Sequence, residues 1–188
     1  MSQRLTVEWT DMEDRGPWTK HSRTVEFESS HLRVLRDRVT FPNEQVGDYD
    51  WMQSKDQVRV AVLAADGILF VEQYHYLIGR CLQLPGGDVE AGETTLDAAQ
   101  REVHQETGFR DGVWTSLGAV HPLPSISPVR IHLWTLDQAA PGPTSPDPTE
   151  RDLRVVRLPL AAAAAEALHG RLTCAASAAI VLRLAAER

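Results

Sequence analysis

The stretch that decides the fold is Gly87–Phe109, which reads GDVEAGETTLDAAQREVHQETGF. It follows Leu84-Pro85-Gly86-Gly87, which breaks any regular element, so a loop is expected as far as Gly92. From Thr94 to Thr107 the length and the apolar periodicity are those of a helix. Three residues at helical spacing form its apolar stripe: Leu96, Ala99 and Val103.

Both ends of this helix carry capping signals. Thr94 and Asp97 have capping-box spacing, with aspartate in place of the usual glutamate. Gly108 stands where a left-handed residue ends a helix. The stretch therefore predicts a glycine loop that leads into an amphipathic helix with defined ends.

Working outward toward the N-terminus, β-rich runs dominate. Val58–Leu63 and Ile68–Tyr76 flank Ala65-Asp66-Gly67, and Asp-Gly between two such runs indicates a hairpin. Further upstream, residues 24–27 and 32–35 have the composition of two short strands.

Toward the C-terminus, strands are expected at Trp114–Val120 and Arg130–Leu136, with an edge strand at Leu153–Arg157. Helices are expected from Pro159 to about Gly170 and over Cys174–Glu187. This order predicts a mixed α/β or α+β sandwich.

The expected domain organisation has three parts. Residues 1–20 lack clean periodicity and are expected to form an arm or a disordered tail. Residues 21–56 would form the β extension, and residues 57–188 the main domain. Within the main domain, Gln138–Thr149 is rich in proline and predicts a surface loop or lid.

Composition excludes several classes of function. A net charge of -7 disfavours a general nucleic-acid binder, although one phosphorylated small molecule remains compatible with it. Cys81 and Cys174 form no CxxC pair, so reduced thiols and a cytoplasmic setting are expected. No apolar run reaches membrane-spanning length, and the first twenty residues do not read as a signal peptide.

The chemistry of the predicted helix lies in its acidic face. Glu102 and Glu106 are four residues apart and therefore lie on one face, which Gln105 flanks. Magnesium binds oxygen ligands, commonly one or two carboxylates together with waters and substrate phosphates. The pair therefore predicts a site for Mg²⁺ or Mn²⁺; a solvated helix face is the alternative for the pair taken alone.

The whole stretch resembles the Nudix box, whose pattern is Gly, five spacers, Glu, seven spacers, then Arg-Glu-apolar-x-Glu-Glu-x-Gly-apolar. The defining positions are filled by Gly87, Glu93, Arg101, Glu102, Glu106, Gly108 and Phe109. One position departs, because Gln105 stands where the first glutamate of the Glu-Glu pair belongs.

The resemblance implies a role for each of these residues. Glu102 and Glu106 would bind the metal, aided by the backbone carbonyl of Gly86, with the Gln105 amide oxygen as a further candidate ligand. Arg101 and Glu93 would tie the loop to the helix and orient those ligands. Metal ions would polarise a diphosphate and activate a water. One of these carboxylates, or an acid of a loop, would activate the water, and the catalytic base is not assigned to a single residue.

More of the chain, from about Trp18 to Leu184, resembles the ADP-ribose pyrophosphatase and nucleotide-sugar branch of this family. Segments that carry this resemblance are Val71-Glu72-Gln73-Tyr74, Leu82–Gly87, Pro124-Ser125-Ile126-Ser127 and Arg130-Ile131-His132-Leu133. The resemblance implies a three-layer α/β/α sandwich with a mixed sheet and an N-terminal β extension. It also implies a homodimer that shares its N-terminal strands. Residues placed against substrate by the resemblance are His75, Gln83, Gly87 and Pro124.

Three departures from the branch weaken ADP-ribose as the specific substrate. His75 replaces an arginine, Gln83 replaces a glutamate, and Val129 stands where many members carry a glutamate proposed to position the base. Glu150 and Asp152 are candidates for the missing carboxylate, with ordinary surface acids as the alternative.

The expected function is metal-dependent hydrolysis of a nucleoside diphosphate joined to a second moiety, which releases a nucleoside monophosphate. Two alternatives stay open. One is a Nudix-fold module that binds or senses a nucleotide with weak or no hydrolysis, and the other is a nucleoside-triphosphate pyrophosphohydrolase.

Overall fold

The structure is a computed structural model that describes residues 16–143 and 152–187. Within these ranges the chain folds into two compact units, one of residues 16–55 with 123–129 and one of residues 56–122 with the described residues from 130 onward. In chain order the elements are β1 (Thr19–Glu28), β2 (Leu32–Thr40), β3 (Val46–Ser54), β4 (Gln57–Ala64), β5 (Gly67–His75), β6 (Gly79–Gln83), α1 (Thr95–Thr107), β7 (Val113–Val120), β8 (Ile131–Asp137), β9 (Arg154–Leu158), α2 (Leu160–Leu168) and α3 (Ala175–Ala186).

The first unit is an antiparallel sheet in the order β1-β2-β3. Asp37 of β2 accepts from Arg23 at 2.7 Å and from the indole nitrogen of Trp51 at 3.1 Å. The Arg23 guanidinium also lies over the Trp51 ring, 4.8 Å from its centroid. A half-buried ion pair and a tryptophan therefore join all three strands.

The sequence analysis did not predict strand β3. Its sequence, VGDYDWMQS, contains glycine and two aspartates, which are depleted in strands. Arginines of β2 compensate across the pair: Arg36 bonds Asp50 at 2.7 Å and Arg38 bonds Asp48 at 2.9 Å. Cross-strand partners of this kind cannot be seen from local propensity.

The second unit is a six-stranded sheet in the order β6-β5-β4-β8-β7, with β9 paired to β5. Only β4 and β8 run parallel among the named strand pairs, so the sheet is mixed. One face packs on α1 through a cluster that includes Val58, Val60 and Val103. The other face packs on α2 and α3 through a cluster that includes Phe70 and Ile180. The predicted α/β/α sandwich is confirmed.

Helix α1 and the hairpin form where the local sequence signals predicted them. Thr94 and Asp97 form a reciprocal capping box, and Gly108 ends the helix in the left-handed conformation at φ 75°. The hairpin between β4 and β5 turns at Ala65-Asp66, and Gly67 is the first residue of β5. Short β6 was not predicted as a strand.

Some predicted boundaries differ from the structure or fall outside it. β1 already begins at Thr19, inside the segment 1–20 that was expected to form an arm. Residues 1–15, and residues 144–149 of the predicted Gln138–Thr149 loop, lie outside the described residues. Among the described helices, none combines the length and the apolar character required to cross a bilayer.

Candidate active site and metal centre

The glycine loop runs beside β4 as a short extension of the sheet. The amide of Val60 donates to the carbonyl of Pro85, and the amide of Val58 donates to that of Gly87, both at 2.9 Å. A Cβ at Gly86 would lie 2.1 Å from the Val58 carbonyl oxygen. Only glycine allows the two backbones to approach this closely.

Both predicted metal-binding carboxylates of α1 lie against this loop. The amide of Gly86 donates to Glu106 Oε2 at 2.8 Å. A Cβ at Gly87 would lie 2.3 Å from Glu102 Oε1, so glycine also makes room for that carboxylate. Glu106 is 2% exposed and the Glu102 side chain 12% exposed. The spacing predicted from the sequence thus places two acidic groups together at the loop.

Arg101 links the loop to the helix. Its Nε donates to Glu93 Oε1 at 2.7 Å, and Nη2 donates to Glu93 Oε2 at 3.0 Å and to the Asp88 carbonyl at 2.9 Å. Its Nη1 donates to Glu102 Oε1 at 2.7 Å. The structure shows the expected Arg101–Glu93 ion pair and adds a direct bond to one of the two acidic groups.

These bonds shift the proton affinity of both partners. The hydrogen bond from Arg101 holds the pKa of Glu93 below its ordinary value, against the opposing effect of burial. The same pairing raises the pKa of Arg101. Glu93 is therefore an anion and Arg101 a cation throughout the neutral range.

Gln105 joins the same network through its amide oxygen. Nη1 of Arg101 donates to Gln105 Oε1 at 3.3 Å. The oxygen that would bind a metal thus already faces a cation, and this residue adds no negative charge. Its role as a ligand stays a prediction, as does that of the Gly86 carbonyl.

The donor set at the loop is small. In residues 16–143 and 152–187, no three histidine, cysteine, aspartate or glutamate side chains converge as a metal site. Two carboxylates at one place agree with the way Mg²⁺ is held, since it keeps waters and takes substrate phosphate oxygens for its remaining positions. They do not agree with a closed structural zinc site, which needs four protein ligands.

The predicted substrate residues have varied surroundings. Gly87 lies in the loop against Glu102. The buried Gln83 accepts from Nη2 of Arg59 at 3.4 Å. His75 ends β5 with its Nε2 buried and without a hydrogen-bond partner in the part of the chain that the structure describes. Pro124 belongs to the first compact unit.

The structure describes one of the two candidates for the missing carboxylate, Asp152. Val129 belongs to the first unit. Asp152 accepts from the Tyr74 amide at 2.9 Å, which fastens the chain beside β5. Glu150 lies outside the described residues.

Sequence reasoning missed Arg59, which is 9% exposed and lies under the loop. Its Nη1 donates to the Val58 carbonyl at 2.9 Å and would lie 3.0 Å from a Cβ at Gly86. The available signal was an arginine inside the otherwise apolar run VRVAVLA, since a charge in a buried strand requires partners.

Comparison with known proteins agrees with the geometry of the site. The model of the NUDIX domain family matches residues 53–175. The ADP-sugar pyrophosphatase of Mus musculus is 27% identical over 150 residues, which cover 77% of this chain and 68% of that protein.

Two further relatives match over shorter segments. A putative nudix hydrolase 2 of Caenorhabditis elegans is 48% identical over 46 residues, 24% of this chain and 21% of its own length. The ADP-ribose pyrophosphatase of Methanocaldococcus jannaschii is 41% identical over 63 residues, 30% of this chain and 37% of its own length. This chain thus spans only about a fifth to two thirds of these three relatives.

Among solved structures, the crystal structure of an ADP compounds hydrolase superposes with a TM-score of 0.79 at 22% identity, covering 94% of this chain and 96% of that one. This likeness confirms the fold. The family match extends over more than half of the chain and includes the glycine loop and all of α1. The chain belongs to the Nudix family.

Proposed function

We propose that this protein hydrolyses the diphosphate bond of a nucleoside diphosphate joined to another group, of the ADP-ribose or ADP-sugar type. The products are a nucleoside monophosphate and a phosphorylated partner. The observation that carries the proposal is the convergence of Glu102 and Glu106 on the glycine loop, with Arg101 bonded to one of them. The names of the relatives, pyrophosphatases of ADP-ribose and ADP-sugars, support this substrate class.

The donor atoms suit Mg²⁺ or Mn²⁺, which we propose as the cofactor. Glu102 and Glu106 would hold the ion, with the Gly86 carbonyl and the Gln105 amide oxygen as further ligands. When bound, such an ion polarises the diphosphate and lowers the pKa of a coordinated water. The need for it is physical, since two carboxylates one helical turn apart repel each other unless a cation lies between them.

The residues around the pair fix its geometry. The Gly86 amide holds Glu106 and the Arg101 guanidinium holds Glu102, so neither carboxylate must be ordered when substrate arrives. Gly87 presents bare backbone beside Glu102, where a phosphate group can approach. His75, Gln83 and Pro124 remain proposed substrate contacts.

A substrate panel tests the proposal. ADP-ribose, ADP-glucose, GDP-mannose and ATP are each incubated with Mg²⁺ or Mn²⁺, and products are separated by ion-exchange chromatography. We expect AMP from the ADP derivatives, and its loss in the Glu106→Gln variant. Glu166→Gln, an exposed acid of α2 on the opposite helical layer, is the matched control and should retain full activity. Turnover of none of the four by the wild type would contradict the proposal.

The second candidate is a binding or regulatory module. It is favoured by Gln105, which leaves the helix one carboxylate short of the family pattern, and by the apolar Val129. No turnover together with a ligand-dependent rise in melting temperature would establish it. Pyrophosphate release from ATP would instead indicate a nucleoside-triphosphate pyrophosphohydrolase.

We also propose a homodimer formed through the N-terminal sheet. Among the described strands, β1 pairs only with β2, so one of its edges is open. It carries Val25 and Phe27, which are 46% and 55% exposed. An open edge with apolar side chains favours association. Light scattering should give twice the mass of the 20.9 kDa chain, and Phe27→Glu should lower it to the monomer.

A cytoplasmic location completes the proposal. Cys81 and Cys174 are both free thiols, as expected in a reducing compartment. Cell fractionation followed by immunodetection is the direct check, and recovery in a secreted fraction would contradict it.

A further inference from the structure

We propose that His132, held by Asp56, is the base that takes a proton from the attacking water. The proposal rests on the proposed hydrolase function. It assigns the catalytic base, which the resemblance to the family leaves open.

The two side chains form a bonded pair at the end of the sheet. His132 Nε2 lies 2.9 Å from Asp56 Oδ2. The same carboxylate accepts from Arg130, through Nε at 3.1 Å and through the backbone amide at 3.0 Å. With side chains 18% and 26% exposed, His132 and Asp56 are sheltered yet still reachable from solvent.

The protonation state of the pair follows from these bonds. Burial by itself would raise the pKa of Asp56, but the hydrogen bonds from His132 and from the Arg130 amide outweigh it, and the pKa is lowered. A carboxylate anion can only accept, so in the neutral ring Nε2 carries the hydrogen. Nδ1 is then the ring nitrogen with a lone pair that can take a proton.

The register of the sheet brings the pair to the site. On one side of β4, the Val58 amide bonds the Gly87 carbonyl; on the other side, Val58 is the partner of His132 in the parallel pairing with β8. Adjacent strands are about 4.8 Å apart, so the backbones of Gly87 and His132 are separated by roughly 10 Å.

Both sets of side chains lie on the same face of the sheet. Val58 packs in the cluster beneath α1, and residues directly paired across strands share a face, so His132 points toward the α1 side. Glu102 of α1 reaches Gly87 from that side. Glu102 and His132 therefore project into the space on the same face of the sheet.

Two bonds hold the pair in register with the loop. The Val89 amide donates to the Asp56 carbonyl at 2.8 Å, and Gln57 Nε2 donates to Asp88 Oδ1 at 3.0 Å. The glycine loop that contacts Glu102 and Glu106 is therefore bonded to residues 56 and 57, next to the His132 pair.

The other acidic groups at the loop are already engaged. Glu106 accepts from the Gly86 amide and Glu102 accepts from Arg101. The charged groups bonded within this pair are Asp56, whose Oδ2 lies 2.9 Å from His132 Nε2, and Arg130, which donates to Asp56.

The proton balance is simple. The oxygen of water forms a bond to phosphorus while its proton passes to His132 Nδ1. The bridging P–O bond breaks and its electron pair leaves on the phosphate of the departing group. The imidazolium then returns its proton to bulk water, which restores the enzyme.

The test uses the full-length protein with Mg²⁺ and ADP-ribose or the best ADP-sugar of the panel. We expect His132→Ala to lower kcat about 100-fold with KM changed less than about twofold, because general base catalysis contributes about 10² to 10⁴. Imidazole in the buffer should raise the kcat of this variant at least about tenfold. His169→Ala, at the exposed end of α2, should retain full activity and show no response to imidazole.

A second variant guards against a purely structural effect. His132→Gln can still donate to Asp56 but offers no basic nitrogen. A native melting temperature with kcat lowered as in His132→Ala supports the proposal, even where the alanine variant fails to fold. Asp56→Asn should lower kcat by about tenfold or more, because the amide NH2 can donate to Nε2 and so favour the tautomer whose hydrogen is on Nδ1, which can then take no proton.

The outcomes separate the two proposals. Turnover by the wild type together with near-normal kcat in His132→Gln overturns the base assignment alone. Loss of rate in a folded His132→Ala variant without any rescue by imidazole also overturns it. Absence of turnover in the wild type overturns the hydrolase proposal and the base with it.

Discussion

The backbone amide of Gly86 donates a 2.8 Å hydrogen bond to the carboxylate of Glu106, a side chain that is only 2% exposed. Glycine is required there because the same residue abuts the Val58 carbonyl. The bond joins the two halves of the box, loop and helix, at the atom proposed to bind metal. A buried acid without such a donor would be costly.

Glu106→Gln should abolish most activity while leaving the fold intact. The amide has the same shape as the carboxylate but no charge. Loss of a residue that only orients a metal ligand lowers activity about 10- to 100-fold, so loss of a ligand itself should lower kcat at least about 100-fold. The metal-free melting temperature should stay the same or rise, because repulsion with Glu102 is removed. Steady-state kinetics, Mn²⁺ titration by electron paramagnetic resonance and calorimetry check both parts; undiminished Mn²⁺ affinity would contradict the ligand role.

Gln105→Glu should strengthen metal binding. The change restores the carboxylate that the family pattern has, and affinity for a hard cation increases with the number of charged ligands. We expect about tenfold tighter Mg²⁺ binding, and a lower melting temperature without metal because three like charges then share one turn of α1. Isothermal titration gives the affinity. An unchanged dissociation constant would show that residue 105 serves the Arg101 network and not the ion.

Three glycine-to-alanine changes should separate site effects from fold effects. At Gly92 no atom lies within 4 Å of the added Cβ, but φ is 83°, a left-handed conformation in which alanine is strained. Gly92→Ala should therefore lower the free energy of unfolding by about 1 kcal/mol and keep activity. At Gly87 the added Cβ meets the Glu102 carboxylate end, so activity falls more than stability. At Gly86 it meets the Val58 backbone, so stability falls most. Chemical denaturation beside kinetics checks the order; equal losses at all three would contradict it.

The Arg101–Glu93 ion pair should contribute to stability only above the acidic range. The pKa of Glu93 is lowered in the folded protein, so the unfolded chain takes up its proton first as pH falls. The stability from this pair is therefore complete above the ordinary carboxyl pKa and is lost as pH falls through the lower, folded value. The melting-temperature difference between wild type and Glu93→Gln should shrink from about pH 6 to about pH 3. A difference that stays constant over this range would contradict the assignment.

Arg101→Lys should show that the planar guanidinium, with its several donors, is needed in addition to its positive charge. A lysine cannot bond Glu93 through two nitrogens while also holding Glu102 and the Asp88 carbonyl. We expect activity about 10- to 100-fold lower, as for other residues that orient metal ligands. Arg171→Lys, whose exposed partner is Glu166, is the matched control and should leave activity unchanged. Equal activities of the two variants would contradict the orienting role.

The sequence by itself determined α1 and what lies on it. The capping pair Thr94 and Asp97, the stop at Gly108 and the four-residue spacing of Glu102 and Glu106 are all local features. Each of them depends on interactions within one or two turns of a helix, so the neighbouring residues in the sequence are enough to predict it. The hairpin at Asp66-Gly67 was predictable for the same reason.

Only the tertiary structure decided which residues distant in the sequence come together. Strand β3 has a sequence unfavourable for a strand and forms because Arg36 and Arg38 lie opposite its aspartates. The approach of Asp56 to His132, 76 positions apart, depends on the parallel pairing of β4 with β8. Such pairings are set by burial and register over the whole sheet, which no local pattern encodes.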